Sequence, residues 1–253
     1  MKYNIDYIIN IAKEAGFIVM NHYKKDFIEV TYKEDSSPVS VADLESNKLI
    51  CESLLKLYPN IPIISEEEDE KERTNNHNLF WLIDPLDGTK SFLKKNGEFT
   101  INIALIKNNI PIMGVVYSPL SDRLYYVGQD NIPYKIVQGV INSIKVRKIP
   151  EQGATVVTSS SSINGVKLNN FLKNKKIDKT ILTSSSIKIC MIAEGVADIY
   201  PRFGQTMEWD TAAGHAILNA SGGSITTFEG NNISYGNIEK KYHNPEFIAM
   251  GKK

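Results

Sequence analysis

Apolar residues recur at helical spacing near the start of the chain. Tyr7, Ile8, Ile11, Ala12, Ala15, Ile18 and Val19 fall on one stripe, which predicts an amphipathic helix over residues 3 to about 24. The polar turn Lys33-Glu34-Asp35-Ser36-Ser37-Pro38 follows. A second helix is predicted from about Val41 to Leu57, facing inward through Leu44, Leu49, Ile50, Leu54 and Leu57 and stopped by Pro59. A short strand is expected at 61–64, then a charge run from Glu66 to Arg73 and a loop at 75–78. Leu79 to Ile83 is an apolar strand that should end at Asp84-Pro85. Residues 99–106 alternate with period two, and Asn108-Asn109 turns that strand back into 112–117. More strand-like stretches stand at 123–128, 134–138, 144–147 and 154–158. Beyond residue 160 the pattern alternates. Helices are predicted at 165–174, 187–195 and 210–220, interleaved with strands at 180–183, 198–201, 224–228 and 246–250. Gly222-Gly223 suits a helix C-cap.

Two helices, a run of antiparallel strands and then alternating elements predict a layered α/β (α+β) fold with a mixed sheet. With 253 residues, against about 150 per domain, the expectation is a single unit of two packed halves, about 1–150 and 151–253, with a soft boundary near 148–155. Lys+Arg and Asp+Glu both number 29, so no basic excess favours a nucleic acid polymer as partner. Two cysteines cannot build a disulfide framework, and no stretch is apolar enough for a membrane span. The start of the chain has no signal-peptide core. These features predict a cytoplasmic protein, with peripheral attachment to the inner membrane left open, and a monomer or weak homodimer.

The chemistry concentrates in Trp81-Leu82-Ile83-Asp84-Pro85-Leu86-Asp87-Gly88-Thr89-Lys90. An apolar strand runs into two carboxylates three residues apart. Gly88 allows close approach of a ligand to the backbone. If a helix starts there, the amides of Gly88 and Thr89 would face an anion. Carboxylates beside anion-binding amides are reconciled by hard cations, because Mg²⁺ takes a few carboxylates together with phosphate oxygens. A phosphatase of the haloacid dehalogenase class would need its two aspartates two positions apart, and here the spacing is three. Two further segments supply partners: acids at 66–68 just past a short strand, and Asp210 at the start of a helix. Alone, the first reads as a solvated loop and the second as an N-cap. Together with the DPLDGT string they read as a metal site.

These segments resemble the Mg²⁺-dependent, lithium-sensitive phosphomonoesterases of the inositol monophosphatase superfamily. The resemblance rests on Asp35-Ser36-Ser37-Pro38-Val39-Ser40-Val41-Ala42-Asp43, ISEEE at 64–68, WLIDPLDGTKSF at 81–92, NGEFTINIAL at 96–105, GVVYSP at 114–119, SSSIKICMIAEG at 184–195 and YPRFGQTMEWDTAAGHAIL at 200–218. Lys90, the NGEFT segment and the YPRF segment are similar to the 3′(2′),5′-bisphosphate nucleotidase branch.

The resemblance implies an αβαβα sandwich and two or three Mg²⁺ ions. It implies metal ligands at Glu66, Asp84, the Leu86 carbonyl, Asp87 and Asp210. Thr89, oriented by Asp43, and Glu66 would accept a proton from the attacking water. Substrate would meet Leu86, Asp87, Gly88, Thr89 and Asp210, and a second phosphate would meet Lys90, Lys188 or Arg202. Ser185, Ser186, Lys188 and Arg202 would take the nucleoside. The implied reaction is hydrolysis of adenosine 3′,5′-bisphosphate to AMP and phosphate, with the 5′-phosphosulfate analogue as a related substrate. Inositol monophosphate or fructose 1,6-bisphosphate would be the alternatives within the superfamily, and a non-catalytic interaction protein the alternative outside it. The chain departs from the branch at Ser40, where the family has Thr, and at Ser91, where it often has Glu. The second departure bears on specificity. No pair among His22, His77, His215 and His243 has metal-ligand spacing.

Overall fold

A computed structural model describes residues 3–33, 38–68, 77–160, 162–163 and 165–252. Two sheets and three helical layers alternate, an αβαβα sandwich. The first layer holds α1 (Ile5–Tyr23) and α2 (Val41–Leu57), joined through the hairpin β1 (Val30–Tyr32) and β2 (Pro38–Ser40). The first sheet has seven strands: β3 (Ile63–Ser65), β4 (Leu79–Asp87), β5 (Thr100–Lys107), β6 (Ile110–Ser118), β7 (Arg123–Val127), β8 (Pro133–Val137) and β9 (Val140–Ser143), in that spatial order. Only the β3–β4 pair is parallel. A short α3 (Thr89–Leu93) sits at the end of β4.

The second sheet comprises β10 (Ala154–Thr158), β11 (Ile177–Leu182), β12 (Ile199–Arg202), β13 (Ser224–Thr227) and β14 (Phe247–Met250), ordered 11-10-12-14-13. Helices α5 (Ile187–Ala193) and α6 (Glu208–Ala220) fill the middle layer, and α4 (Val166–Leu172) covers part of the outer face. No helix among the described residues is long and apolar enough to cross a membrane.

Helices cover both faces of the central strands. In β4, Phe80 and Leu82 enter the core under α5 and α6, while Trp81 and Ile83 enter the core under α1 and α2. Ala104 and Ile106 of β5 divide from Ile103 and Leu105 in the same way. Strand alternation thus sends apolar side chains both ways. Helix α6 crosses β4 to β7 at very short range, because Gly114 of β6 presents no side chain to it. A Cβ there would run into the Ala213 carbonyl. This crossing carries the start of α6 to the end of β4. At its far end α6 stops in a Schellman turn: Gly222, at φ +94°, donates to Asn219 O at 3.0 Å and Gly223 donates to Leu218 O at 2.9 Å.

Four sequence expectations need correction. Leu44 and Leu57 are 48% and 38% exposed. The buried face of α2 is Ala42, Asp43, Ser46, Ile50 and Leu54, so two of its inward positions are polar. The strand expected at 144–147 lies at Val140–Ser143 instead, because Gln138 and Gly139 both take left-handed φ and the tight turn sets the pairing with β8. Strand β4 does not end at Asp84-Pro85 but continues to Asp87 through a bulge. Helix α6 begins at Glu208, not at residue 210. Residues 34–37 of the polar turn, and residues 69–76 of the charge run and loop, lie outside the described residues.

Candidate active site

In a regular strand, residues three apart face opposite sides. The bulge in β4 changes that. Asp84 pairs with Asn102 and Asp87 with Thr100, so β4 holds one residue more than β5 between these two points. Pro85 sits in the bulge, where its missing N–H costs no ladder bond. Both carboxylates consequently reach one cleft. Asp210, in the first turn of α6, comes in from the other half of the chain. Asp84, Asp87 and Asp210 each place an oxygen within 4.8 Å of the others.

Each acid is held by backbone donors. The Leu86 N–H donates to Asp84 Oδ1 at 3.0 Å. Asp87 Oδ2 accepts from the Ser186 N–H and from Thr100 Oγ1 at 3.3 Å. The Met207 N–H donates to Asp210 Oδ2 at 2.9 Å. Even so, the ionised forms are disfavoured. Burial above all, then Glu66 and the other two aspartates, raise the Asp84 carboxyl well above its ordinary range. Burial and then Asp87 do the same to Asp210, and burial raises Asp87 against the pull of Lys188. Three mutually repelling carboxylates at coordination spacing, each with one oxygen braced by a backbone amide, have the donor chemistry of a hard-cation site.

Glu66 follows β3, and its N–H donates to Ile83 O at 3.1 Å, which ties it to β4. It is not part of the tight trio, yet its charge acts on Asp43, Asp84, Asp87 and Asp210. Lys33 donates to Glu66 Oε1 at 3.1 Å and to Glu67 Oε1 at 2.8 Å. Burial, and secondarily Glu66, push the Glu67 carboxyl up to about 7.

Thr89 and Asp43 meet as expected. Thr89 Oγ1 donates to Asp43 Oδ1 at 2.9 Å and approaches Leu86 O at 3.3 Å. Asp43 does two jobs. It closes a capping box on α2, taking the Ser40 N–H at 2.8 Å and Ser40 Oγ at 2.6 Å on Oδ2, while Oδ1 serves Thr89. Ser40 supplies the hydroxyl of this box. Gly88 takes φ +97° and caps α3, and a Cβ there would meet Glu98 O at 2.8 Å. The first amides of α3 have no partner within that helix.

A cavity of about 190 Å³ adjoins the acids and shares Asp87 and Asp210 with them. Ser185, Ser186, Lys188 and Arg202 line it. Lys90 is exposed on α3 and is not among its lining residues. Lys188 is buried, donates to Ser185 O at 2.5 Å and lies 5.3 Å from the Tyr200 ring centroid. Burial lowers its ammonium to about 8 despite Asp87. Ser185 has φ +59°, strained for a residue with a Cβ, and its buried hydroxyl finds no partner among the described residues. Ser186 is engaged elsewhere: its amide braces Asp87, and its hydroxyl meets Thr100 Oγ1 at 2.8 Å and Asn102 Oδ1 at 2.7 Å. Arg202 donates to the carbonyls of Gly204 and Gln205 at 3.1 and 3.0 Å.

Sequence reasoning missed several residues of this site. Lys33 and Glu67 read as parts of charged surface runs. Ser46, which donates to Pro85 O at 2.9 Å and pins the bulge to α2, shares a helix face with Asp43 at i+3 spacing. That spacing was its available signal. Thr100 and Asn102 lay inside a recognised string without an assigned task.

The inositol monophosphatase family model matches residues 3–252. A 3′(2′),5′-bisphosphate nucleotidase CysQ from Buchnera aphidicola is 46% identical over 233 residues, covering 91% of this chain and 87% of the relative. The Salmonella typhimurium protein of the same name is 39% identical, covering 96% and 98%. Among solved structures, CysQ from Bacteroides thetaiotaomicron, described as a bacterial member of the inositol monophosphatase family, superposes with a TM-score of 0.79 at 31% identity, covering 98% of this chain and 96% of that one.

Proposed function

The chain belongs to the inositol monophosphatase family, and from that membership and the geometry of its cleft we propose that it is a 3′(2′),5′-bisphosphate nucleotidase. It takes adenosine 3′,5′-bisphosphate, or the 5′-phosphosulfate analogue, and releases phosphate from the 3′ position. The observation that carries this reading is the sharing of Asp87 and Asp210 between an acidic trio and a cavity bearing Lys188 and Arg202. One side suits cations and a scissile phosphate. The other suits a second anionic group.

The donor set fits Mg²⁺: Glu66, Asp84, the Leu86 carbonyl, Asp87 and Asp210 would hold two or three ions. When bound, Mg²⁺ supplies charge against the phosphate and an acidified water. The remaining work falls to the chain. Asp43 engages the Thr89 proton, which turns the Thr89 oxygen toward the attacking water as a proton acceptor, with Glu66 beside it. The amides of Gly88 and Thr89 fix the nonbridging oxygens. Lys188 and Arg202 hold the second phosphate, with Lys90 at the rim, and the unpartnered Ser185 hydroxyl takes a polar group of the nucleoside. Ser186 acts through Asp87.

Phosphate release should be measured with Mg²⁺, with and without Li⁺, from adenosine 3′,5′-bisphosphate, inositol monophosphate and fructose 1,6-bisphosphate. The expected result is a clear preference for the nucleotide and inhibition by Li⁺. Inositol phosphate turned over at least as efficiently would overturn the nucleotide reading. No release from any substrate would favour an interaction protein that keeps the fold.

A further inference from the structure

Consecutive acids at the end of β3 differ in their surroundings. Glu66 is partly exposed, with its side chain at 29%, whereas Glu67 is buried, with its side chain 5% exposed. One ammonium bridges them: Lys33 Nζ lies 3.1 Å from Glu66 Oε1 and 2.8 Å from Glu67 Oε1. Lys33 follows directly on β1, whose partner β2 ends in Ser40, the residue that holds Asp43. The hairpin thus delivers a fixed positive charge to one edge of the acidic cleft.

We propose that Lys33 is a built-in competitor for the divalent cation at Glu66, and that Glu67 is the anchor onto which Lys33 withdraws when the cation binds. This rests on the reading of Glu66 as a metal ligand. An ammonium hydrogen-bonded to a carboxylate oxygen and a metal coordinated through the same carboxylate cannot both sit at their preferred distances without repelling one another. Lys33 must yield, and Glu67 gives it a place to go that costs one ion pair and not two. Lys33 acts through Glu66 and is a positioning residue.

The test is Mg²⁺ binding by the full chain after chelator treatment, followed by calorimetry and by the Mg²⁺-dependent rise in melting temperature at constant ionic strength. Lys33→Met and Lys33→Gln should each bind Mg²⁺ about two- to fivefold more tightly than the wild type, because a partly exposed ion pair is worth little more than that. Lys33→Arg should bind at or below wild-type affinity. Lys90→Met removes a lysine that has no bond to Glu66 and sets the general effect of one charge. Equal or weaker binding in both neutral Lys33 variants overturns the proposal, as does an equal gain in Lys90→Met. A wild type that takes up no Mg²⁺ overturns the metal reading as well, whereas a wild type that binds it normally beside unchanged Lys33 variants overturns this inference alone.

Discussion

Removing a carboxylate from the cleft should stabilise the metal-free protein while abolishing its activity. Asp84→Asn is the cleanest perturbation. Asparagine keeps an oxygen for the Leu86 N–H, which Asp84 accepts at 3.0 Å, so the bulge geometry survives. Asp84, Asp87 and Asp210 lie within 4.8 Å of one another. At an effective dielectric of about 20, two full charges at that separation repel by about 3.5 kcal/mol. Asp84 meets two such neighbours and Glu66 as well. Burial and this repulsion both raise the Asp84 and Asp210 carboxyls, so proton uptake offsets part of it. A residual repulsion of about 2 kcal/mol is a sober figure for what Asp84→Asn would relieve. In a chain of this length, 1 kcal/mol shifts Tm by about 2–4 °C. Differential scanning calorimetry in EDTA should therefore place the variant about 4–8 °C above the wild type. Added Mg²⁺ should raise the wild-type Tm and leave the variant nearly unmoved. A variant that melts at or below the wild type in EDTA refutes the repulsion argument. One that keeps both the Mg²⁺ response and near-normal turnover refutes the site itself.

Two further outcomes are expected. Thr89→Val should lower kcat by about 10²- to 10⁴-fold, the range for a lost proton acceptor, with little change in substrate affinity, and should lower Tm, since the buried Asp43 Oδ1 loses its Thr89 donor while Oδ2 keeps both Ser40 donors; steady-state kinetics with Thr89→Ser as the rescuing variant checks this. His215 is buried against Tyr235 Oη at 2.9 Å, and burial lowers its pKa to about 4. Its neutral form is the folded one, so its contribution is complete above the unfolded value of about 6.5 and is lost as pH falls through about 4, a change of about 3 kcal/mol. Urea midpoints from pH 7 to pH 4 should show the wild type losing that much relative to His215→Gln, and parallel curves would contradict it.

Much of the scaffold was legible because each element announced itself in its own period. Helices α1 and α2 and strands β5 and β10 stand within a residue or two of their expected bounds. The errors came where one period cannot say what lies across the interface. Leu44 and Leu57 looked inward on composition, yet α2 turns Asp43 and Ser46 to the protein instead, since those two groups have Thr89 and Pro85 O to meet. A polar face on a buried helix stripe was thus the signal of a site, and hydrophobic counting treated it as noise. The acidic cluster was legible for a related reason: acids at the ends of the apolar strands β3 and β4, read together with Asp210, pointed to one cleft, and the fold brings Asp84, Asp87 and Asp210 together. Lys33 could not be found in that way. Nothing in a polar hairpin says which charge will reach 33 residues along the chain to Glu66. The fold creates that pair, and with it a positive charge beside Glu66.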